Sequence, residues 1–262
     1  MEHLSVKNLF LHFGGVLALS NVDLTIPKGL LFSLIGPNGA GKTSLINCIS
    51  KFYTPDSGKI LFKEKEITSL PPYSVVRRGI SRTFQNIELF KGMTVLDNIK
   101  LGRHIHLRTG PLAGLFYLGK AKKEEEALER FLDEEVLNLL ELIPFKDKVV
   151  STLPYGLQKR VDLARALAPK PEFLILDEPV AGMNRRETQE MIKHILEIKE
   201  SWNLTVLLIE HDMEVVMNIS NWIAVMNFGM KIAEGTPEEV QRNPEVIKIY
   251  LGHSDSKGRG KL

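Results

Sequence analysis

The chain has 262 residues, a length that fits one large α/β domain, or a core with one inserted subdomain, better than several independent modules. Hydrophobic residues make up 44% of the chain and charged residues 25%, which excludes a disordered, collagen-like or disulfide-framework protein. The 34 Lys and Arg residues nearly balance the 32 Asp and Glu residues, so composition alone does not indicate a nucleic-acid or anionic-membrane partner.

Three features of the sequence predict a cytoplasmic protein. The longest uncharged apolar runs, such as residues 109–119, fall short of the roughly 18–20 residues that a membrane-spanning helix needs. The N-terminus has no basic region before an apolar stretch, so it does not resemble a secretion signal. Cys48 is the single cysteine, and a chain that cannot form an internal disulfide agrees with a reducing compartment.

The first sixty residues predict strands and one helix. Runs rich in β-formers and bounded by turn signals cover residues 4–13, 22–26, 30–35 and 58–62. Residues 41–51 switch to a helical pattern. Cys48 falls inside this helix, where a buried thiol is expected rather than a nucleophile.

The rest of the chain predicts a helical block followed by further strands. Residues 122–142 form the clearest predicted helix, with an apolar face opposite a solvated face rich in Lys and Glu. Strand-like runs return at residues 173–176, 206–209 and 222–226, with helical stretches between them. Because strands that alternate with helices form parallel sheets, we expect a mostly parallel sheet.

Strand-like segments on both sides of the helical block predict a division into domains. Residues 1–85 and 166–262 would form an α/β core, and residues 86–165 an inserted helical subdomain. The polar and basic residues 253–262 predict a frayed tail.

The strongest motif follows the predicted strand at residues 30–35 and opens the helix after it. Glycine-enabled N–H groups there would face phosphates from a helix N-terminus, Lys42 would reach the β- and γ-phosphates, and Thr43 would place its hydroxyl on Mg²⁺. A glycine turn with an unrelated lysine is the alternative. The predicted nucleotide site is this match to G-x-x-x-x-G-K-[ST] with the serine after it: Gly36, Pro37, Asn38, Gly39, Ala40, Gly41, Lys42, Thr43 and Ser44.

Polar side chains follow two later apolar runs. Asp177 and Glu178 come directly after the first, where Asp177 would serve Mg²⁺ and Glu178 would orient or deprotonate the attacking water, unless both residues belong to a helix cap. His211 follows the second, residues 205–209, and taken alone would more often be structural. Because open α/β sheets bind ligands outside the carboxyl ends of their strands, the three strand ends together favour a functional His211.

In this order, and over nearly the whole chain, the motifs resemble the ATP-binding cassette (ABC) ATPases. The resemblance implies hydrolysis of ATP with Mg²⁺ on a P-loop NTPase core that has a mostly parallel sheet, an N-terminal antiparallel β subdomain and an inserted α-helical subdomain. It also implies that Phe13 stacks on adenine, that Gln85 touches Mg²⁺ or its water, and that His211 senses the γ-phosphate. A core phenylalanine and a surface glutamine are the alternatives for the first two. Residues 181–184 match the family's dimer-contact loop.

The family's signature segment, usually L-S-G-G-Q, departs from its pattern here. It falls at residues 153–157, where Pro154 offers neither a hydroxyl nor a backbone N–H, and Leu157 replaces glutamine. By this interpretation the segment lacks two hydrogen-bond donors toward phosphate, the serine hydroxyl and the glutamine amide of the usual signature. Backbone N–H groups at the start of the following helix could equally do most of the phosphate binding, which would make both changes harmless.

Several short sequence segments resemble, more specifically, the ATP-binding subunits of branched-chain amino acid importers. RTFQ at 82–85, IEHDM at 209–213 and the segment 235–252 are the clearest. They imply an ATPase on the inner face of the cell membrane, with a second cassette, a membrane permease and a periplasmic or extracellular solute-binding protein as partners and no nucleic acid. An ATPase of a lipid or lipopolysaccharide exporter and a non-transport ABC ATPase are the alternatives. Residues 103–123 would contact the permease or membrane, or form a plain surface loop.

Overall fold

The computed structural model describes residues 1–103 and 120–252. The predicted tail and most of the segment 103–123 lie outside the described residues. The chain forms two compact units. The first contains Met1–Val75, Ile175–Glu178 and the described residues from Leu204 onward; the second contains Val76–Leu174 and Pro179–Asn203.

Strands and helices alternate through the chain. The strands are β1 (Glu2–Phe13), β2 (Val16–Pro27), β3 (Leu31–Ile35), β4 (Ser57–Phe62), β5 (Lys65–Glu66), β6 (Ile80–Arg82), β7 (Phe173–Asp177), β8 (Thr205–Ile209), β9 (Trp222–Asn227) and β10 (Met230–Gly235). The α-helices are α1 (Lys42–Ile49), α2 (Pro72–Arg77), α3 (Val95–Gly102), α4 (Lys120–Phe131), α5 (Tyr155–Leu167), α6 (Arg185–Trp202), α7 (Met213–Ile219), α8 (Pro237–Arg242) and α9 (Pro244–Gly252).

The first unit contains an antiparallel sheet at its N-terminus, in the order β2-β1-β4-β5. Strand β1 pairs antiparallel with both β2 and β4. It buries Leu4, Val6, Leu9 and Leu11, so most of its large apolar side chains enter the core. The predicted antiparallel β subdomain is confirmed.

A mostly parallel sheet has the order β10-β9-β3-β8-β7-β6, and its strands β3, β8, β9 and β10 belong to the first unit. Strand β3 is parallel to β8 on one side and to β9 on the other, and β10 pairs antiparallel with β9. Every residue of β3, β7 and β8 is buried, which explains why four of the five residues in each strand are apolar. The carboxyl ends of β3 and β8 therefore meet at one edge of the sheet, as the sequence predicts.

The second unit is mostly helical. Helix α3 packs on α5, and β6 lies beside the start of β7, where the N–H groups of Glu172 and Phe173 both donate to the Gly79 carbonyl. The buried Asn98 accepts from the Phe90 N–H at 2.8 Å and donates to the Thr94 carbonyl at 2.9 Å. This side chain fixes the loop before α3.

The structure differs from the sequence predictions in three elements. The predicted helix 122–142 is α-helical only to Phe131, because residues 132–137 form a π-helix. The buried Leu132, Val136 and Leu137 are four and five residues apart, a spacing that suits the wider π turn. Strand β2 begins six residues before the predicted start, and β10 lacks the alternation that would have predicted it. Among the described residues, every helix is too short or too polar to span a bilayer.

Candidate functional site

The phosphate-loop motif connects β3 to α1 and depends on two glycines. Gly36 has φ 149° and Gly41 has φ 98°. A Cβ atom on Gly36 would lie 2.2 Å from the Met226 carbonyl oxygen, and one on Gly41 would lie 2.8 Å from the Ala18 carbonyl oxygen. A side chain is therefore excluded at the first and the last glycine of the loop, and without these side chains the loop backbone can approach a ligand closely.

Lys42 is the first residue of α1, and only 5% of it is exposed. Its ammonium group donates to the carbonyl oxygens of Gly36 at 2.7 Å and Pro37 at 3.0 Å. Burial lowers the pKa of Lys42, while the carboxylates of Glu178 and Asp177 act to raise it. One buried cation therefore lies inside the loop and within electrostatic reach of both predicted carboxylates.

Glu178 and His211 meet in the first unit. The Nε2 atom of His211 lies 2.7 Å from Oε1 of Glu178. The Glu178 backbone has φ 50°, a left-handed conformation that a glutamate rarely adopts, and its N–H donates to the Ile209 carbonyl at 2.9 Å. The end of β8 thus holds both the backbone and the carboxylate that follow β7.

Phe13 ends β1 and is 46% exposed, which argues against the core alternative. The ring packs edge to face against Tyr53, with the ring centroids 5.0 Å apart. Beside it, the His12 ring nitrogen Nδ1 lies 2.9 Å from the Asp56 carboxylate. Sequence reasoning missed Tyr53, whose only signal is the pair of aromatic residues after α1.

The described residues fit a nucleotide with Mg²⁺. Thr43 is exposed in the first turn of α1, and Asp177 is 5% exposed at the end of β7. In the described part of the chain no group of three or more His, Cys, Asp or Glu side chains could hold a metal alone. A hydroxyl with one carboxylate is the protein share of a Mg²⁺ site that substrate phosphates complete.

Gln85 and the signature segment lie in the second unit. The Gln85 carbonyl accepts a hydrogen bond from Lys159 Nζ at 3.0 Å. Pro154 is the N-cap residue of α5, immediately before the first helical residue, Tyr155. The Tyr155 hydroxyl donates to the Ala181 carbonyl at 3.3 Å, so the start of α5 contacts the predicted dimer-contact loop.

Comparisons with known proteins agree with this geometry. A family model described as "ABC transporter" matches residues 19–181, and one described as "Branched-chain amino acid ATP-binding cassette transporter" matches residues 230–256. The chain is 45% identical, over 96% of its own length and 98% of the relative's, to "High-affinity branched-chain amino acid transport ATP-binding protein BraF" of Pseudomonas aeruginosa. It is 43% identical, over 96% of its own length and 98% of the relative's, to "High-affinity branched-chain amino acid transport ATP-binding protein LivG" of Escherichia coli.

Two solved structures extend the comparison. A nucleotide-free ATP-binding cassette from an ABC transporter superposes with a TM-score of 0.83 at 36% identity, covering 95% of this chain and 99% of the other. A dimeric cassette in a post-hydrolysis state, bound to ADP and phosphate, superposes with a TM-score of 0.73 at 25% identity, covering 89% and 98%. The described residues of this chain therefore share their fold with cassettes that bind nucleotide and dimerise.

Proposed function

This chain belongs to the ABC transporter family of ATPases, and from that premise we propose that it is the ATP-hydrolysing subunit of an importer of branched-chain amino acids. The observation that carries the proposal is the convergence of Lys42, Asp177, Glu178 and His211 in the first unit, at or just after the ends of β3, β7 and β8. The substrate class rests on the BraF and LivG relatives and on the family match at residues 230–256.

Each group of the site has a role in hydrolysis. The loop backbone and Lys42 hold the phosphates of ATP, and Thr43 and Asp177 would hold Mg²⁺. When bound, Mg²⁺ supplies positive charge to the phosphate oxygens. Glu178 accepts a proton from the attacking water, and His211, 2.7 Å from its carboxylate, holds that carboxylate in place and orients the γ-phosphate.

Three further assignments belong to the proposal. Phe13, backed by the Tyr53 ring, offers an exposed aromatic face to adenine. Gln85 touches Mg²⁺ or its water. Residues 86–165 act as the helical signature subdomain, and residues 1–85 with 166–262 act as the nucleotide-binding core.

The second unit offers a surface for the membrane permease. A groove of about 520 Å³ lies between the segment after β6, α3 and α5. Exposed Phe90 and Leu101 supply apolar area, and Arg82, Glu88 and Arg165 supply charges of both signs. Such a mixed groove suits a short amphipathic segment. We propose that it receives a cytoplasmic segment of the permease, with this subunit on the inner face of the membrane and a second cassette as a further partner.

Reconstituted transport tests the proposal. The subunit would be purified with its permease, second cassette and solute-binding protein, and placed in ATP-loaded vesicles. We expect ATP-dependent movement of leucine, isoleucine or valine across the bilayer, abolished in a matched complex that carries Glu178→Gln. Movement of a labelled lipid in place of the amino acids would contradict the importer assignment and favour the exporter.

A further inference from the structure

Three charged residues lie on one face of α5, and two of them are almost completely enclosed while the third is partly buried. Lys159, Asp162 and Arg165 are spaced three residues apart, so successive members are neighbours on the helix surface. Lys159 is 3% exposed and Asp162 is 2% exposed. Buried charges are costly unless they are paired and hydrogen-bonded, so the contacts of these three side chains indicate what they are for.

All three side chains bind the main chain of residues 84–88. Lys159 Nζ donates to the Gln85 carbonyl at 3.0 Å, and Arg165 donates to the Glu88 carbonyl. The Asp162 carboxylate accepts from the Phe84 backbone N–H and from Arg165 at 2.7 Å. We name these three residues the α5 clamp. The clamp holds the main chain on both sides of the Gln85 side chain.

The clamped segment has little regular structure of its own. Residues 83–91 lie in neither a strand nor a helix, so a sheet or helix ladder does not fix their backbone. Burial raises the pKa of Asp162, and the charges of Arg165 and Lys159 oppose that rise. Apolar side chains of similar volume could fill such a site without loss of stability, so the hydrogen bonds to the main chain of residues 84–88 are what the charged groups contribute.

The first residues of α5, which belong to the signature segment, make contacts of their own. At the start of α5, Tyr155 contacts the Ala181 carbonyl, and a Cβ atom on Gly156 would lie 2.7 Å from the Glu187 carboxylate. Glu187 completes the capping box of α6 with Asn184. Helix α5 is therefore bound at one end to the dimer-contact loop and along one face to the segment of Gln85.

We propose that Lys159, Asp162 and Arg165 are positioning residues for Gln85. They fix the backbone from which its side chain extends, and they join that backbone to the helix that carries the signature segment. The inference rests on the proposed function in one respect, namely that Gln85 serves Mg²⁺ or its water.

Hydrogen–deuterium exchange tests the clamp without nucleotide or turnover. We expect Lys159→Met to speed exchange of the peptide that covers residues 84–88 by roughly tenfold or more, while exchange within α6 stays the same. Lys159→Arg keeps a donor and should restore slow exchange. Lys193→Met, which removes an exposed lysine on α6, is the matched control and should change nothing. Unchanged exchange at residues 84–88 in Lys159→Met would overturn the clamp.

A double-mutant cycle tests whether the clamp acts through Gln85. Gln85→Ala should raise the Mg²⁺ concentration for half-maximal ATPase activity, and Lys159→Met should do so by roughly tenfold at a temperature at which the variant remains folded. Because both changes disturb one group, the double variant should be little worse than Gln85→Ala alone. Additive effects would overturn the clamp and leave the proposed function standing. A Gln85→Ala variant with normal Mg²⁺ dependence would refute both the role of Gln85 and the clamp.

Discussion

Glu178 carries the strongest local constraints in the site. Its left-handed backbone costs on the order of 1–3 kcal/mol for a non-glycine residue, and such strain persists only where the surroundings impose it. The Ile209 carbonyl binds its N–H, and His211 binds its carboxylate. These two contacts hold the Glu178 carboxylate in one position, which suits the general base that we propose.

Glu178→Gln should separate ATP binding from hydrolysis. The amide keeps the shape of the side chain but cannot accept the proton of the attacking water, so turnover should fall by about 10²- to 10⁴-fold. ATP affinity should remain within a few-fold of the parent. Equilibrium binding of a fluorescent ATP analogue and phosphate release measure the two quantities. Parental turnover would move the role of base to another residue.

Lys42→Ala should weaken nucleotide binding. The substitution removes the buried cation that contacts the phosphate loop, and a hydrogen bond to a charged group contributes about 1.5–3 kcal/mol. We therefore expect ATP affinity or turnover to fall roughly 10- to 100-fold. Isothermal titration with MgATP, at matched thermal stability, gives the affinity. If dissociation constant and turnover both equal those of the parent, the phosphate-loop assignment is wrong.

Cys48 should be an inert thiol near neutral pH. Burial in α1 raises its pKa to about 11, so only about one thousandth of the thiol is ionised at pH 8. Alkylation should be slow at pH 8, should rise about tenfold per pH unit while the protein stays folded, and should become fast in denaturant. Mass spectrometry after timed iodoacetamide treatment measures this. Rapid labelling of folded protein at pH 8 would contradict the buried position.

At the scale of elements, the sequence predicts those strands and loops whose structure depends on residues close together in the chain. Buried strands such as β3 and β8 are continuous apolar runs, and the phosphate loop is a fixed string of residue types, so both could be found from the sequence. The contact of Phe13 with Tyr53 and the α5 clamp could not, because they join residues 40 or more positions apart through tertiary packing. The π-helix was missed because its apolar spacing differs little from that of an α-helix.

The N-terminus of α5 tests whether the altered signature matters. Pro154 caps the helix without a side-chain hydrogen bond, so any phosphate contact there falls to the backbone N–H groups of the first turn. If the missing hydroxyl and amide matter, Pro154→Ser with Leu157→Gln should raise the ATPase rate of a complex of two different cassettes. A site without these donors should hydrolyse at least roughly tenfold more slowly.

Steady-state phosphate release by the restored complex is the measurement. Lys42→Ala and the equivalent lysine change in the second cassette should then cost unequal activity in the parent complex. A restored rate within about twofold of the parent, together with equal losses from the two lysine changes, would establish that the backbone alone suffices.

At the scale of the whole molecule, the chain crosses between its two units within a few residues of the site. Among the described residues between Val76 and Asn203, Ile175–Glu178 alone belong to the first unit. Asp177 and Glu178, the carboxylates of the proposed site, thus lie in a four-residue segment whose neighbours along the chain belong to the second unit on either side.

Dimerisation should depend on ATP and on Lys42, and it should be easiest to detect when hydrolysis is blocked. With Glu178→Gln, MgATP should shift the protein from monomer to dimer, because the nucleotide stays intact at the interface. Light scattering after size exclusion measures the mass. Lys42→Ala added to the same variant should keep it monomeric. A mass that is insensitive to ATP would contradict closure of two cassettes on nucleotide.

Strand β3 is synthesised long before the two strands with which it pairs. This strand precedes the phosphate loop, yet Leu31 pairs with Val206 and Phe32 with Trp222. Both hydrogen-bonding edges of β3 therefore stay unsatisfied until the last third of the polypeptide leaves the ribosome, on the order of ten seconds later at roughly 5–20 residues per second. Until then a strand in which four of five residues are apolar stays without its native neighbours in the sheet.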